Sequence, residues 1–219
     1  MAVEPVDQPA GLPNRLARRK QRTRAALIQA AQAFIGAGKL NVPVLEITQA
    51  ADVGMGSFYN HFDSKEELFA AAVNEVLDAH GALLDQVTES LDDPAEKFAC
   101  CFRLTGRLFR RRPQESRVLL ANGVLLTSSD RGLAPRALRD INAAIRAERF
   151  RLDDPTLALA VAGGTLMGLG QLLAAEPYRD DAAAADRVAE NVLRLFGMDA
   201  DDARDICQRP LPDLDRNET

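Results

Sequence analysis

Aromatic residues are scarce in this sequence: tryptophan is absent, tyrosine occurs twice, and aromatics together make up 5% of the 219 positions. No stretch alternates apolar and polar residues for long enough to read as a strand. Alanine and leucine dominate, so a sheet is disfavoured and helix favoured throughout. Cysteine is nearly missing too. Cys100 and Cys101 are adjacent, which strains a disulfide between them; Cys207 stands apart, and no CxxC or Cys/His spacing suits a metal. This argues against a disulfide scaffold and a zinc site, and fits a reducing, cytoplasmic chain with no metal and no cofactor. His61 and His80 are the two histidines. No nucleophile elbow or phosphate loop accompanies them, so an enzyme is not expected. The opening MAVEPVDQPAGLPN lacks the apolar core of a signal peptide.

Acidic residues are absent from Gln8 to Leu45. That stretch holds Arg15, Arg18, Arg19, Lys20, Arg22, Arg24 and Lys39, in a chain of net charge −5. A small basic head followed by a larger acidic body suggests two jobs. Helical periodicity runs from Asn14 to Ile35, with Leu27, Ala30, Ala31 and Phe34 on one face, and Gly36 and Gly38 end it. Short helices over 44–51 and 55–62 flank the turn ADVG, with Asp52 in the bend and Gly54 as N-cap. A fourth helix opens at Ser64, where SKEE reads as a capping box, and runs to about Leu91. A fifth opens at Asp92-Asp93-Pro94 and ends before Pro113. Further helices fit 114–122, 135–150, 155–175, 182–196 and 200–207. The fold class is therefore all-α. It divides into a disordered arm (1–13), a three-helix helix-turn-helix domain (14–63), a larger helical domain (64–208) and a flexible tail (209–219).

The scarce aromatics gather in GSFYNHFDSKEELF, Gly56 to Phe69. A short helix, a tight bend and a second short helix have the size of a helix-turn-helix. Its second helix must enter a major groove roughly 12 Å wide, so the exposed face must be small or hydrogen-bonding. Phe58 and Phe62, at i and i+4, pack inward. Met55, Gly56, Ser57 and Asn60 remain for the groove, while Tyr59 and His61 reach phosphates on either side. Lys65, at the start of the next helix, joins the free N–H groups there in holding a phosphate. Arg18, Arg19, Lys20 and Arg22 add a basic arm.

Arg22 to Phe69, through RTRAALIQAAQAFI, EITQAADV and GSFYNHFDSKEELF, resembles the DNA-binding domain of the tetracycline-repressor (TetR) family of bacterial regulators. Asp52 stands where that family usually has Gly, Gly54 where it has Ser or Thr, Pro43 where a hydroxyl residue often begins the second helix, and Leu45 where an Arg sometimes contacts a base. The resemblance implies a homodimer, a double-stranded operator of two-fold symmetry, and a small-molecule pocket in the larger domain. A repressor released by a small apolar or amphipathic effector is the expectation that follows. A helical binding protein or enzyme without sequence-specific DNA binding is the alternative.

Pocket-wall candidates in the body are Phe98, Cys101, Phe102, Thr105, Leu108, Phe109, Asn122, Leu125, Ile145 and Met167. Arg103, Arg107, Arg110 and Arg111 lie on another side of the fifth helix. They read as a solvated face or, alternatively, as a basic rim for an anionic effector head. Cys100 and Cys101 read as buried and inert, or as a redox pair. The uncharged helix 156–175 has a bilayer's length, but its Thr, Gln and glycines favour an interface over a membrane span. Ala160, Gly164 and Gly168 form a smooth stripe on it, and Ala185, Val188, Val192 and Leu195 a seam on the next helix. Two such helices per subunit would build a four-helix dimer interface; packing within the chain is the alternative.

Overall fold

The computed structural model describes residues 15–121 and 132–212, and every regular element among them is helical. In chain order these are α1 (Arg15–Gly36), α2 (Val44–Ala50), α3 (Met55–Tyr59), α4 (Lys65–Val87), α5 (Pro94–Arg111), α6 (Pro113–Ala121), α7 (Leu133–Arg146), α8 (Pro155–Ala175), α9 (Asp181–Leu195) and α10 (Ala200–Gln208). The expected arm and most of the expected tail lie outside the described residues.

Side-chain caps place the helix starts. Ser64, Asp93, Asp154, Asp180 and Asp199 each accept a hydrogen bond from a backbone N–H of the first turn, and Pro94 and Pro155 begin their helices. Three C-terminal ends fall three or more residues short of the sequence reading. The helix expected over 55–62 ends at Tyr59, and the chain turns once more through His61 N–H and Phe62 N–H bonds to the Phe58 carbonyl. α4 stops at Val87, where the Thr88 hydroxyl bonds back to the Leu84 carbonyl. α7 stops at Arg146 because Glu148 takes a left-handed φ of 57°, which swings Phe150 into the core.

Two cores result. The head packs α1, α2, α3 and the first half of α4 around Leu27, Ile28, Ile35, Ile47, Phe58, Phe62, Leu68 and Leu77, with Val118 and Leu119 of α6 closing it from the body side. The body packs α5 against α7, α8, α9 and α10. Its centre is a cluster of Phe98, Phe150 and Phe196, with ring centroids 5.3 to 5.7 Å apart. α4 belongs to both: Leu68, Ala72, Val73, Val76 and Leu77 sit in the head core, while Leu84 packs with Cys100, Leu104 and Leu108 of α5.

α8 is long and apolar enough to cross a membrane by length and composition, and 39% of its apolar window is buried inside the chain. Leu159, Ala162, Leu166, Leu169 and Leu173 face the core. Ala160, Gly164 and Gly168 are exposed, with open space where a Cβ would stand on either glycine. The companion seam on α9 is different. Ala185 and Val192 are buried in the body core, Val188 is half-buried against it and Leu195 is exposed. The three-four spacing there reports packing on α5 within the chain, so Ala185 and Val192 are not available to a partner.

A candidate DNA-binding surface and effector cavity

Helix α3 lies on the head as its composition requires. Phe58 is fully buried, and its ring meets those of Tyr59 and Phe62 at 5.1 and 6.1 Å. Met55, Gly56, Tyr59 and Asn60 are exposed, and Ser57 and His61 half-exposed. Gly54 caps α3 with its carbonyl alone, and Asp52 holds the preceding bend at a φ of 52°, a left-handed conformation that glycine takes more cheaply. Ser64 accepts from the Glu67 N–H at 3.1 Å. Glu67 answers at the Asp63 N–H, 2.6 Å away, one residue before the cap, so the box is displaced by a residue but both ends are closed. Lys65 is the first residue of α4.

Arg18, Arg19, Lys20 and Arg22 are all exposed on the first turns of α1. Arg15, Arg18, Arg19 and Arg22 share one helical face and line a groove whose other wall is Asp52, Gly54 and Ser57. Arg24 is engaged elsewhere, with its guanidinium over the Phe62 ring at 5.2 Å. Partial burial, with Lys20 and Arg24 nearby, holds the pKa of His61 below its ordinary 6.5. The surface thus joins a small, polar recognition helix to a continuous basic flank, which is what a duplex backbone beside a major groove requires.

Within the body, α4, α5, α7 and α8 line a cavity of about 70 Å³. Phe98, Phe102, Leu159 and Leu166 form its apolar walls, and Cys101 and Thr105 also line it. Four charged side chains that sequence reasoning missed complete it: Asp85 of α4 and Arg136, Arg139 and Asp140 of α7. Arg136 Nε donates to Asp85 Oδ2 at 2.7 Å, Arg139 Nη2 to Asp85 Oδ1 at 2.9 Å, and Arg139 Nε to Asp140 Oδ1 at 2.9 Å. Burial alone would raise the pKa of Asp85, but the two guanidinium hydrogen bonds outweigh it and hold the carboxyl below its ordinary value. Two carboxylates and two guanidinium groups cancel, so the polar end of the cavity is rich in donors and acceptors without net charge.

Behind the cavity wall, His80 is buried and its Nε2 lies 2.9 Å from Thr105 Oγ1. The Thr105 hydroxyl already donates to the Cys101 carbonyl at 2.8 Å, so Nε2 carries the proton and donates. Burial, helped by the charge of Arg112, lowers the His80 pKa to about 4, so the ring is neutral.

Several sequence assignments change. Leu108 packs with Leu84, Cys100 and Leu104 rather than into the cavity. Phe109 lies against Gly170, where a Cβ would meet its ring at 2.9 Å. Ile145 packs on the body core, and Met167 turns toward the head core. Asn122 and Leu125 lie outside the described residues. The α5 arginines are neither a solvated face nor an effector rim as a set. Arg103 is buried and shares Asp186 of α9 with Arg107, each at 2.8 Å, while Arg110 bonds the carbonyls of Glu176 and Arg179. Burial pushes the thiols of Cys100 and Cys101 up to about 11 and about 12, which leaves no reactive thiolate at neutral pH.

A helix-turn-helix head with a basic flank, joined by a shared helix to an all-α body with a largely apolar cavity, defines a DNA-binding regulator of the two-domain helical kind. Known proteins agree with this. Residues 27–72 match the model for bacterial regulatory proteins of the tetR family, and residues 93–209 the tetracyclin repressor-like C-terminal domain. The chain belongs to the TetR family. It is similar to RolR, whose structure with the ligand resorcinol shares 33% identity over 90% of this chain and 99% of that one, with a TM-score of 0.64. RolR without ligand gives a TM-score of 0.73 over 87% of this chain and 98% of that one. The HTH-type transcriptional regulator TtgR of Pseudomonas putida is 30% identical over 106 residues, 48% of this chain. The chain spans about half the length of the curated relatives it matches.

Proposed function

We propose that this protein is a cytoplasmic repressor that binds a palindromic operator as a homodimer and leaves it when a small effector enters the body cavity. One observation carries the reading: α4 starts at the DNA-facing surface with Lys65 and ends at the cavity wall with Leu84 and Asp85. The dimer would form through the exposed face of α8, where Ala160, Gly164 and Gly168 permit close approach, with the exposed Leu195 of α9 beside it. Two recognition helices would then enter successive major grooves about 34–36 Å apart.

The effector class follows from the cavity. An engineered protein cavity that takes benzene has roughly 150 Å³, so this one admits a small ring only as its walls give. Aromatic walls beside a charge-balanced polar end suit an uncharged ring bearing hydroxyl groups. Resorcinol, the ligand in the RolR structure, has that chemistry and is the first compound to try. Selection of bound sites from random duplex DNA at a stated salt concentration tests the DNA half. A recovered palindrome that binds far better than either half-site supports the reading. No enrichment by folded protein, or equal affinity for site and half-site, overturns it.

A further inference from the structure

The second half of α4 is bound to the body by polar links as well as by the packing of Leu84 on α5. The Gly132 N–H donates to Asp78 Oδ1 at 3.0 Å, and Asp85 takes both Arg136 and Arg139. Arg136 does more than pair. Its guanidinium also donates to the Gly132 carbonyl at 2.7 Å, so it closes the N-terminal turn of α7 while crossing α4. It crosses at Gly81. A Cβ there would stand 2.7 Å from Nη1 and 2.9 Å from both Cδ and Cζ of Arg136, too close for any real contact. Glycine in mid-helix costs about 1 kcal/mol against alanine, so the notch is kept against helix propensity.

We propose that Gly81 is a positioning residue of the effector response: it seats Arg136 across α4, and the Asp85–Arg136 pair formed there latches α4 to the cavity wall in the DNA-binding arrangement. The inference rests on the repressor reading and says which contact carries the signal. Ligand hydroxyls are donors and acceptors of the kind that Asp85 and Arg136 now satisfy in each other, and both side chains line the cavity. A ligand that engages either weakens the latch. α4 spans 23 residues, roughly 34 Å at 1.5 Å per residue, so a small tilt at Asp85 becomes a displacement at Lys65.

The test compares full-length wild type, Gly81→Ala, Asp85→Asn and the double variant. Gly81→Ala is a mild probe, since the atoms it displaces are the tip of a flexible side chain and alanine favours helix. Its melting temperature should stay within a few degrees of wild type. Without ligand, each single variant should bind the selected operator about tenfold more weakly, and the double variant no worse than the weaker-binding single, because both act through one latch. Amide exchange should quicken over residues 78–87 and 132–139 and stay unchanged in α9 and α10. Wild-type affinity and exchange in Gly81→Ala, or losses that add in the double variant, overturn the latch. If resorcinol fails to release wild type while the variants behave as expected, the latch stands and the choice of effector fails. If wild type selects no operator, the exchange pattern alone decides.

Discussion

The head and the body treat their polar side chains in opposite ways. In the head, the groups assigned to DNA stand in solvent: Tyr59, Asn60, Arg18, Arg19 and Arg22 are exposed on a small aromatic and aliphatic core. In the body, the comparable groups are already matched with one another, from Asp85, Arg136, Arg139 and Asp140 at the cavity to Arg103, Arg107 and Asp186 between α5 and α9. A duplex brings a regular array of phosphates, so a surface of unengaged cations suffices to meet it. A small ligand must displace contacts that the protein already makes with itself, which is how its binding can change the protein.

The sharpest way to break this contrast is to remove the head's core. Phe58→Ala empties a fully buried site and should cost about 3–5 kcal/mol. Chemical denaturation should then show an early transition of the head and loss of operator binding, while the body still unfolds late. A single wild-type-like transition would mean that the two regions are one cooperative unit.

The buried polar side is tested next by pH. His80 gives up its proton at about 4 in the folded chain and near 6.5 when unfolded, so its contribution is complete above 6.5 and drains away as pH falls toward 4. The loss should be about 3 kcal/mol, and His80→Gln should flatten it. Denaturation midpoints between pH 4 and 7 read both chains.

The exposed side is tested by salt. Replacing Arg18, Arg19 and Arg22 by alanine should weaken operator binding about 10- to 100-fold and lower the slope of log affinity against log salt by about 3 if all three meet phosphates. An unchanged slope would remove α1 from the interface.

The smallest effect belongs to the bend. Asp52→Gly relieves a left-handed φ and removes a negative charge beside the DNA flank. It should leave stability within about 1 kcal/mol and tighten operator binding a few-fold. Weaker binding would show that Asp52 is used in recognition.

The head was legible because its determinants are local. The Phe58–Phe62 pair, the Ser64 cap with Glu67, and the basic run on α1 are each made of residues within a turn or two of one another. In the body, Phe98, Cys101, Phe102 and Thr105 of α5 were found because one amphipathic helix supplies all four. Asp85 and Arg136 were not, since they meet across 51 residues and each alone reads as an ordinary surface charge. Arg103 was misread for the same reason, its partner Asp186 lying 83 residues away. Spacing on α9 misled differently: a heptad-like seam looks the same whether it packs on a second chain or on α5. Ala185 and Val192 took the second course.

The most direct test of coupling between cavity and DNA surface is a titration of operator-bound wild-type protein with resorcinol, followed by fluorescence anisotropy of the labelled duplex at fixed salt. Saturable release is expected, with Asp85→Asn releasing poorly and ring compounds bearing a carboxylate in place of a hydroxyl releasing less. Saturable entry of resorcinol into the cavity with operator binding unchanged would contradict the coupling, because α4 would then join the two sites without linking their equilibria.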